Sequence, residues 1–178
     1  MGRGRQQLVA TMEILRTLRH WVTSPRAVRR TFPESALKRI REAIVESEKT
    51  HSGEIRFAVE SALPMSYLRR DAPARERALM MFAKLRVWDT EQNNGVLIYV
   101  EVADHQIEIV ADRGIARHVS AAEWKAIASV MRDRFRTEAY EAGAIDAVQA
   151  VGALLNRHFP LNEGERNPNE LPDYPVVL

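Results

Sequence analysis

Apolar residues recur at a helical spacing in five stretches of the chain and at strand spacing in three, which sets an expected order of elements. Leu8, Met12, Leu15, Leu18 and Val22 share one helical face with Trp21 beside them, until Ser24-Pro25 interrupts. Arg26 to Arg30 reads as a basic connector. Thr31-Phe32-Pro33-Glu34 has the spacing of a capping box ahead of Leu37, Ile40 and Ile44, predicting a helix over about 33–50. Gly53, in a left-handed conformation, is expected to close it. Ile55, Phe57 and Val59 alternate with Glu54, Arg56, Ala58 and Glu60, a period of two and hence a strand. Residues 62–71, with Pro64, read as a loop with a short turn, and Pro73 opens a helix carrying Ala78, Met81, Phe82 and Leu85.

A polar loop, Trp88 to Gly95, runs into Val96-Leu97-Ile98-Tyr99-Val100, which has no polar side and therefore predicts a central strand covered on both faces. Ala103-Asp104-His105 is short enough for a hairpin turn into a strand over 106–110, so these two strands should be antiparallel. Residues 112–115 read as a loop. Ser120 and Glu123 form a capping box for a helix on Trp124, Ile127, Ala128, Met131 and Phe135, and a last helix over about 138–158 uses Ala144, Val148, Val151 and Leu155. The tail from Pro160 holds four of the eight prolines and is expected to be extended, loosely draped or unordered. The expected fold is α/β: a three-layer α/β/α sandwich with a small mixed sheet on a β-α-β-β core, plus extra N-terminal helices. Residues 1–30 form a basic amphipathic helix and connector, 31–159 the α/β/α domain, and 160–178 the tail.

A chain of 178 residues, 46% hydrophobic and 28% charged, suits one globular domain. The absence of cysteine excludes disulfides, thiolate nucleophiles, Cys-ligated zinc and iron–sulfur clusters. His20, His51, His105, His118 and His158 form neither H-x-x-x-H nor H-E-x-x-H, so zinc is not expected. The G-x-G at Gly2 to Gly4 has no strand ahead of it and no glycine precedes K-S/T, so no nucleotide is expected; nothing points to haem. The longest charge-free stretch, Ala147 to Asn156, is about half of what a bilayer span needs, and no secretory signal opens the chain, so a cytoplasmic location is expected.

Residues 1 to 41 hold ten Lys and Arg against Glu13 and Glu34, leaving sixteen basic and twenty-two acidic residues in the rest. Three readings of this polarity stay open. The basic helix packs on the domain with Arg16 and Arg19 solvated or paired to the acidic remainder; residues 8–30 dock on an anionic membrane surface at the inner face or on a protein partner; or the basic face meets nucleic acid. The last is not expected, because aromatic and basic residues do not interleave on a strand.

The topology makes a geometric prediction. If the first two strands are parallel and the third reverses, Glu54, Asn93, Asn94 and Asp112 converge at one end of the sheet, with Asp89, Glu91 and Arg113 in adjoining loops and His51 three residues before Glu54. Carboxylate and amide oxygens suit Ca2+ or Mg2+, and Arg113 suits a phosphate. The same residue types also cap strand ends and turns. Asp104 and His105 fall at the opposite rim. Asp89-x-Glu91-x-Asn93 copies the start of a calcium loop, but Asn94 and Val100 stand where its glycine and closing glutamate belong, so that motif is absent.

Ser52-Gly53-Glu54-Ile55, Asn93-Asn94-Gly95-Val96-Leu97-Ile98 and Glu108-Ile109-Val110-Ala111-Asp112-Arg113-Gly114-Ile115, followed by a helix and a Phe135 segment leading to Gly143, resemble the TPM domain over about 34–158. That family includes a plant thylakoid lumen protein and bacterial relatives, and the likeness is greatest to short bacterial members with a basic N-terminal helix and a tail like Asn167-Pro168-Asn169-Glu170-Leu171-Pro172. The resemblance implies an α/β/α sandwich, acid phosphatase activity in plant members and Ca2+ binding in some bacterial ones. By position it carries over Glu54, the amides Asn93 and Asn94, and the acidic loop Asp89 to Glu91. Asp112 departs from the pattern, standing where many relatives have the first glycine of G-x-G, and the secretion signal and C-terminal anchor of relatives are not expected here. Two functions follow: a non-catalytic accessory or interaction domain with a divalent-metal site, or a metal-assisted phosphomonoesterase in which Asp89, Glu54 and Asp112 hold the ion and Arg113 steadies the phosphate.

Overall fold

The computed structural model describes residues 16–21, 23 and 25–178. Leu8, Met12, Leu15 and Val22 of the expected N-terminal stripe lie outside the described residues. Residues 16–21 are helical (α1), followed by α2 (Pro25–Thr31), α3 (Glu34–Glu48), β1 (Ile55–Glu60), α4 (Met65–Leu68), α5 (Ala74–Lys84), β2 (Val96–Glu101), β3 (Gln106–Ala111), α6 (Arg113–Ala116), α7 (Ala121–Arg136), α8 (Tyr140–His158) and β4 (Val176–Val177).

The sheet runs β3-β2-β1-β4. β1 and β2 are parallel, from Ile55 opposite Val96 to Glu60 opposite Glu101, and β2 and β3 are antiparallel, from Val96 opposite Ala111 to Glu101 opposite Gln106. Strand alternation then builds two cores. Ile55, Phe57, Val59, Val96, Ile98, Val100, Ile107 and Ile109 pack against α3, α7 and α8 through residues such as Ile40, Met131, Val148 and Leu155. Ala58, Leu97, Tyr99 and Val110 pack on the other face against Ala78 and Met81 of α5, with Val87 and Leu171. The molecule is therefore an α/β protein with helices on both faces of a mixed four-stranded sheet, and β2 is buried along its whole length.

Several local expectations are corrected. The arginine-rich run is helix, not connector: Pro25 opens α2, and Val28 and Phe32, four apart, are buried in the first core while the arginines face out. No side chain caps α3, whose N-cap is Pro33, so the Thr31 box does not form. Gly53 is not left-handed; a Cβ there would meet Leu155 Cδ2 at 2.5 Å, so close helix–strand packing explains it. Residues 113–116 are a short helix capped by Asp112. The Ser120–Glu123 capping box is present.

The tail is extended but ordered, and it adds a strand. Val176 and Val177 pair parallel with Ala58 and Val59, Leu171 is buried in the second core, and Asn167 Nδ2 donates to the carbonyls of His51 (2.9 Å) and Gly53 (3.1 Å). Glu54, fully buried, accepts the backbone N–H groups of Glu170 (3.1 Å) and Leu171 (3.2 Å). Two other buried glutamates also serve backbone N–H groups: Glu48 accepts from Ile55 (2.9 Å), and Glu101 accepts from Ala103 and Asp104 in the hairpin turn.

Burial is the main cause in all three, pushing Glu54 and Glu101 up to about 7 and Glu48 up to about 9. The folded protein holds these protons at pH values where the unfolded chain has released them. Their stability contribution is thus complete below about pH 4.5, and is lost as pH rises to about 7 for Glu54 and Glu101 and to about 9 for Glu48. His51, lowered to about 4 by burial, opposes this on the acid side, between about pH 4 and 6.5. Denaturant titrations are expected to show lower stability at pH 9 than at pH 6, and Glu54→Gln to shrink the drop between pH 5 and 8 by about 1–2 kcal/mol. An unchanged profile in that variant would remove Glu54 from the account. Glycine replacements give a second check: a Cβ at Gly95 would meet the backbone oxygen of Val87 at 2.0 Å, against the movable Leu155 side chain at Gly53. Gly95→Ala should cost about 3 kcal/mol and Gly53→Ala about 1–2 kcal/mol, read by urea unfolding.

Candidate functional site

The strand directions bring the start of β1, the start of β2 and the end of β3 to one rim. Val96 N–H donates to the Glu54 carbonyl (2.8 Å) and Asp112 N–H to the Gly95 carbonyl (2.9 Å), so the backbone is continuous across the three segments. Asn93, with φ +53, turns its carbonyl to accept the N–H groups of Gly114 (2.8 Å) and Ile115 (3.3 Å). A Cβ at Gly114 would lie 2.4 Å from the carbonyl oxygens of both Asn93 and Gln92, so glycine lets α6 press against this loop.

Around this contact the rim assembles Asn93, Asn94, Asp112 and Arg113. Asn93 Oδ1 accepts from Arg113 Nε (2.8 Å); Arg113 is exposed and no carboxylate pairs with it among the described residues. Asp112 Oδ1 caps α6 by accepting Arg113 N–H (2.7 Å). Asn94 donates its N–H to Thr90 Oγ1 (3.1 Å) and its Nδ2 to Ser52 Oγ (3.3 Å). The remaining oxygens, Asn94 Oδ1 and Asp112 Oδ2, are buried and accept from no donor. Unfilled acceptors of this kind are satisfied by a hard cation or an ordered water.

The other residues expected here are elsewhere engaged. Glu54 shares the rim, but its carboxylate binds the tail. Asp89 is exposed and paired with Arg86 (2.6 Å), and Glu91 is exposed while its N–H binds Glu170 Oε1 (2.9 Å). His51 is buried: Nδ1 donates to the Gly53 carbonyl (3.0 Å), leaving Nε2 to accept from Ser47 Oγ (3.0 Å), and burial keeps the ring neutral. The cavities of about 330, 450, 500 and 540 Å³ are lined by other residues, the largest by Ile109, Trp124, Lys125 and Arg132 beside β3.

At the opposite end lies a cluster that sequence reading missed. His20, Glu101 and Asp104 have ligand-type atoms within 4.8 Å of one another, the one such triad among the described residues. His20 Nδ1 accepts the Leu63 N–H (3.0 Å), which fixes the proton on Nε2; that nitrogen lies 2.9 Å from Asp104 Oδ2 without the alignment of a hydrogen bond. Asp104 also takes Arg16 Nε (2.7 Å) and approaches Arg19 (3.5 Å); burial pushes its carboxyl up, but the proximity of His20 and Arg16 outweighs this and holds it below the ordinary range. With one imidazole nitrogen committed, the other protonated and two guanidinium groups adjacent, the chain's own cations occupy the place a metal would take. The contact joins residues 84 apart in sequence, so no local motif announces it.

No helix among the described residues is long and apolar enough to cross a membrane. No curated protein sequence matches the chain. Among solved structures it is similar to the NMR structure of the BA42 protein from the psychrophilic bacterium Bizionia argentinensis, at 30% identity and a TM-score of 0.70 over 81% of this chain and 93% of that one. The family model of the TPM domain matches residues 29–154, from α2 through most of α8 and including the whole rim of strand starts. The chain belongs to the TPM domain family.

Proposed function

We propose that the protein is a non-catalytic interaction domain whose sheet rim binds a divalent cation, Ca2+ or Mg2+, through Asp112 and Asn94. The observation that carries this reading is the pair of buried oxygens without a donor, Asn94 Oδ1 and Asp112 Oδ2, on backbone segments tied by the Asp112 to Gly95 bond. Both are hard oxygen donors, the kind these ions prefer. Within this reading the exposed Asp89 and Glu91 of the adjoining loop are further candidate donors, and Asn93 and Arg113 shape the approach.

The non-catalytic part is supported by where the titratable groups are spent. General acid–base chemistry needs a group within reach of a substrate in an accessible site. Glu54 is bound to the tail, His51 to Ser47 and Gly53, and one oxygen of Asp112 to the cap of α6. A metal-assisted phosphomonoesterase would have Arg113 for its phosphate, but the rim residues line none of the large cavities described above.

Calorimetric titration with Ca2+ and with Mg2+ tests the proposal. Asp112→Asn retains an oxygen for the α6 cap while removing the charge, so it should leave the fold intact and weaken cation binding about tenfold or more. Hydrolysis of an aryl phosphate with either ion should be no faster for the native chain than for this variant. Absence of cation binding overturns the site, and turnover lost on Asp112→Asn overturns the non-catalytic reading.

A further inference from the structure

The N-terminal helix docks with its polar side inward. Arg16 gives Nε to Asp104 (2.7 Å), Nη1 to Asp71 and Nη2 to the Ala72 carbonyl (3.3 Å), and His20 is buried against Leu63. Leu18 and Trp21, the two large apolar residues among the described positions of α1, face out instead. Trp21 is 78% exposed and Leu18 48% exposed. Of the expected readings, pairing of Arg16 and Arg19 with the acidic remainder is what the described residues present, and it leaves Leu18 and Trp21 exposed among the described residues.

The next helix in the chain, four residues on, is strongly basic. Val28 of α2 and Phe32 just after it are buried in the core, and Arg26, Arg29 and Arg30 are exposed, none of them paired with a carboxylate among the described residues. From Trp21 to Arg30 the chain thus exposes an indole and three guanidinium groups that meet no carboxylate among the described residues. A second copy of this chain would bring the same positive charge and repel it, whereas an anionic interface satisfies both needs. Indoles settle at the headgroup level of a bilayer, and arginines there are drawn by the negative surface potential.

We propose that Leu18 and Trp21, with Arg26, Arg29 and Arg30, dock the protein on an anionic lipid surface. The proposal rests on the orientation of α1 and is independent of the cation site. Co-sedimentation of the full chain with vesicles, in the presence of a chelator, tests it. Binding is expected to vesicles of phosphatidylcholine mixed with phosphatidylglycerol and not to phosphatidylcholine alone, falling as salt rises. Trp21→Ala should lower the partition coefficient about tenfold, and the triple change Arg26→Glu, Arg29→Glu, Arg30→Glu should abolish it. Circular dichroism should show both variants folded, since the replaced side chains are exposed. Equal recovery with the two kinds of vesicle, or variants that bind like the native chain, overturns the proposal. So does sedimentation equilibrium showing a native dimer that Trp21→Ala converts to monomer, with no vesicle binding.

Discussion

The relative directions of β1, β2 and β3 decide where every other part of the molecule can act. A parallel β1–β2 pair requires a crossover, and residues 61–95 supply it, carrying α4 and α5 and returning the chain to the end where β1 began. The hairpin then sends β3 back to that same end. Glu54, Gly95 and Asp112 are therefore neighbours, while Glu60, Glu101 and Gln106 meet at the far end. Strand register, and no local motif, gathers Glu54, Asn94 and Asp112 at one rim of the sheet and Glu60, Glu101 and Asp104 at the other.

Each terminal segment is secured at one of these ends by a carboxylate. At the first rim Glu54 holds the tail through two successive backbone N–H groups. At the far end Glu60 takes Arg77 and the Tyr99 hydroxyl, and Asp104 takes Arg16 and Arg19 from the N-terminal helix. The two solutions differ electrostatically. Neutral N–H donors offset only part of the desolvation of Glu54, so its carboxyl stays well above the ordinary range; His20 and the Arg16 guanidinium reverse the effect at Asp104. The tail is consequently attached by a group that loses its proton near neutral pH, while the N-terminal helix is attached by one that stays ionised throughout that range.

Much of this architecture was legible in the chain. The alternation of Ile55, Phe57 and Val59, the unbroken run Val96 to Val100 and the short connection at Ala103 to His105 carried enough information to orient three strands and so to place Glu54, Asn94 and Asp112 at one end. β4 and α2 escaped for reasons that are physical. β4 is only Val176 and Val177, too short to show a period amid prolines, and it pairs with Ala58 and Val59 more than a hundred positions away. In α2 only Val28, with Phe32 just beyond its end, marks the buried side, and Arg26, Arg29, Arg30 and Thr31 obscure it. Side-chain commitment was the harder part of the site. Residue type and position could bring Glu54, Asp89 and Glu91 to the rim, but their partners come from the tail, from Arg86 and from Glu170, and such pairings are set by tertiary packing.

Asp112 bears most directly on what the rim does. Capping α6 needs one oxygen, and Ser or Thr would supply it without a second. An aspartate at an exposed cap turns its other oxygen to water. Here Oδ2 is buried without a donor, a condition that costs about 1–3 kcal/mol in a folded protein. The same holds for Asn94, whose backbone N–H and Nδ2 do the local structural work through Thr90 and Ser52 while Oδ1 is left over. Local structure therefore accounts for one polar atom of each side chain and leaves on each a buried oxygen that no protein donor reaches. A bound cation would turn both from a cost into an attraction, which is why the excess oxygens, rather than the number of acidic residues nearby, carry the cation reading.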